Sequence, residues 1–83
     1  MEIRDSARKH RIADDDIRHA IDHALVVADL DVDKVLYLGP DRAANVLEVV
    51  AVRRVGRESL LIHAMRMRSR YEPYLRGQED DDG

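Results

Sequence analysis

Residues 46–65 read VLEVVAVRRVGRESLLIHAM, and this stretch decides the fold. Val46 to Arg54 is rich in β-branched residues, which favour a strand, and Glu48 is its one acidic member. Val55-Gly56-Arg57 is typical of a tight hairpin connection, so Ser59 to Met65 is predicted to return as an antiparallel strand. Simple alternation then divides the second strand between two faces. It places Leu60, Ile62 and Ala64 on one face, and Leu61, His63 and Met65 on the other.

Two further strands are predicted before this hairpin. They cover Leu25 to Leu30 and Lys34 to Leu38, and Gly39-Pro40-Asp41 marks the turn that follows. Four strands joined by short turns indicate a four-stranded antiparallel meander. We expect a helix to cover one face of this sheet and the other face to stay partly open, as suits binding of RNA or a partner protein.

Two short helices are predicted at the N-terminus. The first covers Asp5 to His10, and Arg11 occupies the helix-ending position, where a positive φ is common. The second begins at Asp14-Asp15-Asp16, three carboxylates that favour the positive end of the helix dipole. Its apolar face repeats at helical spacing. That face comprises Ile17, Ala20, Ile21, Ala24 and Leu25.

The C-terminal part gives a weaker pattern. After Met65 the sequence indicates a short helix or an extended arm, since Pro73 limits any long helix. The predicted fold class is therefore α+β, with one domain over residues 1–76. Residues 77–83 consist of glycine, glutamine and acidic residues, and they are predicted to be a disordered acidic tail.

Composition narrows the class of protein. The 83 residues contain no cysteine, which excludes disulfides and thiolate metal sites and fits a reducing cytoplasm. No apolar run approaches the roughly 18 residues of a membrane span, so no membrane association is expected.

The net charge of −3 hides a strong asymmetry. Residues 53–78 contain seven arginines and two glutamates, a local charge of +5, whereas residues 1–52 carry −4 and residues 79–83 another −4. An arginine excess of this kind is typical of a surface that binds a polyanion, because guanidinium groups make forked contacts with phosphate. A solvated basic face is the alternative.

The residues that can carry chemistry gather around the end of the last predicted strand. His63 is followed by Arg66, Arg68, Arg70 and Tyr71. Metal-independent RNA cleavage needs a base for the 2′-hydroxyl, a cation near the phosphorane and an acid for the leaving oxygen, and these side chains can supply them. Tyr and Arg planes also stack on unpaired bases.

Each of these residues can instead have a purely structural role. His63 can be a half-buried strand histidine, and the arginines can serve solubility or salt bridges. Lys9 and His10 can cap the first helix, and Glu48 can pair with an arginine across the sheet.

No metal or cofactor site is predicted. His19 and His23 lie four residues apart but lack the glutamate and third ligand of a metal-binding helix motif. The alternating Asp29, Asp31 and Asp33 lack the glycine and closing glutamate of a Ca²⁺ loop.

Three motifs in order give the sequence a family resemblance. SARKHRIADDDIRHA, YLGPDRAANVLEVV and IHAMRMRSRYEPYL together resemble the BrnT-like toxins of bacterial type II toxin–antitoxin systems, relatives in fold of the RelE and ParE toxins. The resemblance spans about residues 5 to 76. The Lys-His pair of the family falls on Lys9 and His10, and its strand-end motif falls on His63, Ala64, Arg66, Arg68 and Tyr71. Arg11 stands where the family has glycine, and Pro73 stands where it continues a helix.

The resemblance implies an α-α-β-β-β-β-α fold and a ribonuclease that inhibits translation. The residues and the resemblance together predict a catalytic group of His63, Arg66 and His10, with Glu48 as a second candidate base. They also predict an RNA-binding group of Lys9, Arg68, Arg70 and Tyr71, in which Arg70 comes from the residues and not from the resemblance. The partners that the resemblance implies are RNA and a cognate antitoxin, with which the toxin forms an oligomeric complex in the cytoplasm. The alternative function is a non-catalytic RNA- or protein-binding module.

Overall fold

The computed structural model describes residues 1–77, and the predicted acidic tail beyond Gly77 lies outside the described residues. The helices and strands follow in the order β1 Glu2–Ile3, a 3₁₀ turn Asp5–Arg8, α1 Asp14–Asp22, β2 Val26–Asp29, β3 Lys34–Pro40, β4 Val46–Arg54, β5 Arg57–Arg66, a second 3₁₀ turn Ser69–Tyr71, and α2 Glu72–Leu75.

The sheet has five strands and is mixed, so the prediction of a four-stranded antiparallel sheet is wrong. The strand order is β1-β5-β4-β3-β2. Strand β1 lies parallel to β5, with Glu2 opposite Leu60 and Ile3 opposite Leu61. Strand β1 was not predicted, because two residues are too few to show an alternation pattern. The remaining neighbours pair antiparallel.

The helices also differ from the prediction. The first predicted helix is only the four-residue 3₁₀ turn Asp5–Arg8, so the N-terminal half has a single α-helix, α1. Arg11 has a φ of 62°, the positive value that is common at a helix-ending position. The C-terminal segment contains a one-turn helix, Glu72–Leu75, with Pro73 in its first turn where a missing N–H costs nothing.

A β-bulge in β5 changes which side chains share a face. His63 lies opposite Val50 and Leu61 lies opposite Ala51, so Ile62 is the extra residue. Simple alternation had put Leu61 and Ala64 on different faces, but the bulge returns both to the same core. His63 and Met65 consequently lie on the opposite face.

Each face of the sheet carries its own apolar cluster. On the first face, α1 packs through Ile17 and Ala20 against a buried group from the strands and the N-terminal segment, comprising Ile3, Ala7, Leu47, Val49, Ala51, Leu61 and Ala64. On the second face, Leu36, Leu38 and Val50 are covered in part by Met67, Tyr71 and Leu75. The second face is therefore less open than predicted, because the C-terminal segment folds back onto it.

The close approach of α1 to the sheet depends on Gly39 in β3. A Cβ atom at this position would overlap the backbone carbonyl of Ala20. Glycine is required here for the helix to lie directly on the strand. In the part of the chain that the structure describes, no helix is long and apolar enough to cross a membrane.

Candidate functional site

The second face of the sheet carries one fully buried charged residue, Glu48 of β4, at 0% exposure. Its carboxylate is hydrogen bonded on both oxygens. His63 Nε2 lies 2.8 Å from Oε2, and the backbone N–H of Arg68 donates to Oε1 over 2.9 Å. A buried carboxylate is tolerated only when it is paired and hydrogen bonded in this way.

The guanidinium of Arg68 completes the pairing of Glu48. Its Nε lies 3.2 and 3.1 Å from the two carboxylate oxygens, and Nη2 lies 2.6 Å from Oε2. This forked contact forms because the chain turns over the sheet directly after β5. Met67 N donates to the carbonyl of Val46, and the Met67 side chain packs into the apolar cluster.

Two opposing effects act on the carboxyl of Glu48. Burial raises its pKa, but the hydrogen bonds from the Arg68 side chain and backbone, followed by that from His63, lower it, and the net shift is downward. Glu48 is therefore ionised at neutral pH. The same contact raises the pKa of Arg68.

The charge of Glu48 determines which ring nitrogen of His63 carries the proton. An ionised carboxylate only accepts hydrogen bonds, so Nε2 of His63 must carry the proton in their shared bond. In the neutral ring, Nδ1 is then the atom with a lone pair. The His63 side chain is 28% exposed, so the ring is partly open to solvent while one edge is held by a buried anion.

A second histidine lies beside the first. The rings of His10 and His63 are 5.9 Å apart between centroids and stand edge to face, at an interplanar angle of 81°. The two residues are 53 positions apart in sequence, and the sequence alone gave no measure of their distance in space.

The N-terminal segment reaches this position because it is attached to the bulge of β5. Ser6 Oγ donates to the carbonyl of Ile62 over 2.8 Å, and Arg4 N donates to the carbonyl of Leu61 over 2.9 Å. The positive φ of Arg11 then turns the chain away towards α1. His10 is held between these two constraints.

Replacing Ser6 by alanine should loosen His10 from His63. The substitution leaves the Ile62 carbonyl without its donor, at a cost of about 1 kcal/mol in the free energy of unfolding. We expect the His10 ring resonances in NMR spectra to lose their contacts with the His63 ring, while the contacts within α1 stay unchanged. Unaltered contacts between the two rings would show that the Ser6 hydrogen bond is not needed to position His10.

Arg68, which pairs with Glu48, also belongs to an aromatic and cationic group. The guanidinium carbons of Arg68 and Arg70 lie 5.8 and 5.5 Å from the centroid of the Tyr71 ring, within the range of cation–π contacts. The ring of Tyr74 meets Tyr71 edge to face at 5.8 Å. The structure therefore brings together six of the eight residues predicted for the site, namely His10, Glu48, His63, Arg68, Arg70 and Tyr71.

In the described part of the chain, the other two predicted residues have no contact that joins their side chains to this group. Arg66 pairs with Leu47, whose side chain is buried under α1, so the Arg66 side chain belongs to the opposite face from His63 and Glu48. Lys9 closes the 3₁₀ turn through its backbone N–H to the carbonyl of Ser6. Within residues 1–77, its side chain makes no hydrogen bond or ion pair.

Two features of the site escaped sequence analysis. Ser6 reads as a helix cap, and the bulge at Ile62 breaks no local sequence rule. The pairing of Glu48 was anticipated only as an ion pair across the sheet, whereas its arginine comes from beyond the end of β5.

Among the described residues, no group of three or more His, Cys, Asp or Glu side chains is arranged to hold a metal ion. His19 and His23 stack at 4.1 Å, and each directs Nδ1 to a backbone carbonyl. Asp29 forms an ion pair with Arg53.

Comparison with protein-family models, with curated proteins and with solved structures finds no match for this chain. The resemblance to BrnT-like toxins therefore rests on the sequence motifs alone.

Proposed function

We propose that this protein is the toxin of a type II toxin–antitoxin pair and a metal-independent endoribonuclease that inhibits translation. The observation that carries the proposal is the pair of histidine rings 5.9 Å apart, one of them held by a buried carboxylate. RNA as the substrate places its action in the cytoplasm, and a cognate antitoxin is the partner that would hold it inactive.

The pair of histidines supplies an acid and a base for attack of the 2′-hydroxyl on the adjacent phosphate. His63, protonated on Nε2, would accept the 2′-hydroxyl proton on Nδ1, and Glu48 would stabilise the imidazolium that results. A protonated His10 would give its proton to the departing 5′-oxygen. The P–O5′ bond breaks as the 2′-O–P bond forms, so the products carry a 2′,3′-cyclic phosphate and a 5′-hydroxyl.

The neighbouring side chains would bind the RNA around the reacting phosphate. Arg68 uses Nε and Nη2 on Glu48, and its side chain is 42% exposed, so the Nη1 side of the guanidinium can face a phosphate oxygen. The exposed Arg70 offers a planar surface to an unpaired base, and Tyr71, whose ring contacts both Arg68 and Arg70, would position them. Because Arg66 lies on the other face of the sheet, it has no part in this chemistry.

Induced expression in bacteria tests the proposal. We expect the wild-type protein to arrest growth while total RNA decays, and His10→Ala/His63→Ala to do neither at equal expression. Arrest and RNA decay by a folded double variant would refute the assignment of the site.

A second candidate function has one observation in its favour. The carboxylate of Glu48 forms an ion pair with Arg68 and neutralises its charge. Arg68 was predicted to bind a phosphate group of RNA, and its charge is instead balanced within the protein. A non-catalytic RNA- or protein-binding module needs no more than this arrangement. In that case purified protein would retain RNA, and the RNA would stay intact.

A further inference from the structure

The outer edge of β2 is an unpaired strand edge with an apolar surface. Across the described residues, β2 pairs with β3 and with no other strand, and it ends the sheet. Leu25, Val27, Leu30 and Val32, here called the apolar edge, are exposed by 66%, 61%, 37% and 88%. Apart from these, the large apolar side chains exposed on the described surface are Met1, Val55 and Tyr74. Unpaired peptide groups beside exposed apolar side chains can pair with a strand from another chain.

The hydrogen bonding of β2 leaves specific peptide groups available. Leu30 N donates to the carbonyl of Lys34 at the hairpin end. In an antiparallel pair, bonded and non-bonded residue pairs alternate, so Val26 and Ala28 bond to β3. Val27 and Asp29 consequently direct their N–H and C=O groups away from the sheet.

A groove runs along the same edge. Val26, Val27 and Ala28 of β2 face Pro73, Tyr74 and Gly77 across a cavity of about 320 Å³. The groove lies between the strand and the C-terminal segment, so a strand added to β2 would insert alternate side chains into it.

The negative charges near the outer edge of β2 favour a positively charged partner. Asp29, Asp31 and Asp33 alternate along and beyond β2. Among residues 1–77, Asp29 forms an ion pair with Arg53, whereas Asp31 accepts a hydrogen bond only from the N–H of its neighbour Val32. These carboxylates would repel the acidic residues 79–82 of the chain's own C-terminus. They would also repel the same aspartates of a second copy lying against the edge.

We propose that β2 is a docking edge for an extended segment of another protein, in which apolar residues alternate with lysine or arginine. The segment adds to the sheet as a sixth strand on the peptide groups of Val27 and Asp29. Its apolar side chains fill the groove beside Tyr74, and its cations lie near Asp31 and Asp33. The docking edge contains no residue of the histidine site, so the proposal stands whether or not the protein cleaves RNA.

Binding of two synthetic peptides tests this proposal on the full chain. One peptide alternates valine and lysine over ten residues, and the other has glutamate in place of each lysine. We expect the basic peptide to bind at least about tenfold more tightly, with affinity that falls as salt is raised. The amide resonances of Val27 and Asp29 should shift on binding. Equal affinity for both peptides, or no binding of the basic one, would overturn the proposal.

A matched pair of variants locates the binding. Val27→Lys puts a cation on the edge and should weaken binding of the basic peptide by about tenfold or more. Val55→Lys changes the same residue type in the β4–β5 turn, where Val55 is fully exposed, and should leave binding unchanged. Far-ultraviolet circular dichroism of both variants checks the fold.

Two other occupants give different results. Self-association in sedimentation velocity that Val27→Lys abolishes would identify a second copy at the edge. A tenfold gain in peptide affinity on deletion of residues 78–83 would identify the chain's own C-terminus. Either result would overturn the proposal.

Discussion

His63→Ala should lower the rate of RNA cleavage by roughly 10²- to 10⁴-fold, the usual contribution of one general acid or base. His10→Ala should have an effect of similar size. Because the two rings would act on the same reaction, the double variant should lose less than the product of the single losses. Cleavage of a short fluorescent RNA in the presence of EDTA measures all three rates.

The chain carries its own control for this experiment. His19 and His23 form a second neighbouring pair of rings, at 4.1 Å, on α1 and its C-terminal cap. His23 is exposed, and His23→Ala should leave the rate within about twofold of wild type, because surface changes have small effects. An equal loss from His23→Ala and His63→Ala would point to a general effect of removing histidine.

Glu48→Gln should produce the largest loss of stability among single polar substitutions in the site. The amide has the shape of the carboxylate, but it turns an acceptor into a donor against His63 and Arg68 and removes the charge that both contact. We expect the free energy of unfolding to fall by about 1–3 kcal/mol, the cost of leaving buried groups unsatisfied. Urea unfolding at neutral pH measures the difference. Cleavage should also slow, since His63 loses its anchor.

The effect of Glu48 should depend on pH in a definite direction. Its pKa is lower in the folded protein than in the unfolded chain, so the folded state binds fewer protons at this site. The stabilisation is therefore complete above about pH 4.3, the ordinary pKa of glutamate. It is lost as the pH falls through the lower folded pKa, so wild type and Glu48→Gln should converge in acid.

Glu58→Gln is the matched control for Glu48→Gln. Glu58 is 62% exposed and pairs only with the N-terminal ammonium group in the described structure. Its replacement should change the free energy of unfolding by less than about 0.5 kcal/mol. Equal losses from Glu48→Gln and Glu58→Gln would contradict the role given to the buried carboxylate.

The strong local patterns in the sequence predict most of the individual elements. Val46 to Arg54 is a strand with those bounds, and α1 begins at Asp14 as its three carboxylates indicate. Strand β1 was missed because a two-residue strand is created by its pairing with β5 rather than by its own residues. The helix predicted over Asp5 to His10 shortened to a 3₁₀ turn, since the bond from Ser6 to Ile62 and the β1 pairing fix this segment to the sheet.

The site shows the same division between local and long-range information. Residue type alone selected His10, Glu48, His63 and Arg68, all of which the structure brings to one place. Arg66 was grouped with His63 because the two lie close in sequence, but residues three apart along a strand point to opposite faces, and Arg66 pairs with Leu47 on the face that α1 covers. The bulge at Ile62, which no local sequence pattern predicts, instead decides that Leu61 shares a core with Ala64.

The most direct test of the account is the chemistry of the RNA ends that the purified protein produces in EDTA. The proposed pair of histidines predicts a 2′,3′-cyclic phosphate and a 5′-hydroxyl from the wild type, and no product from His10→Ala/His63→Ala. A 5′-phosphate product, or cyclic-phosphate product from the folded double variant, would contradict the account.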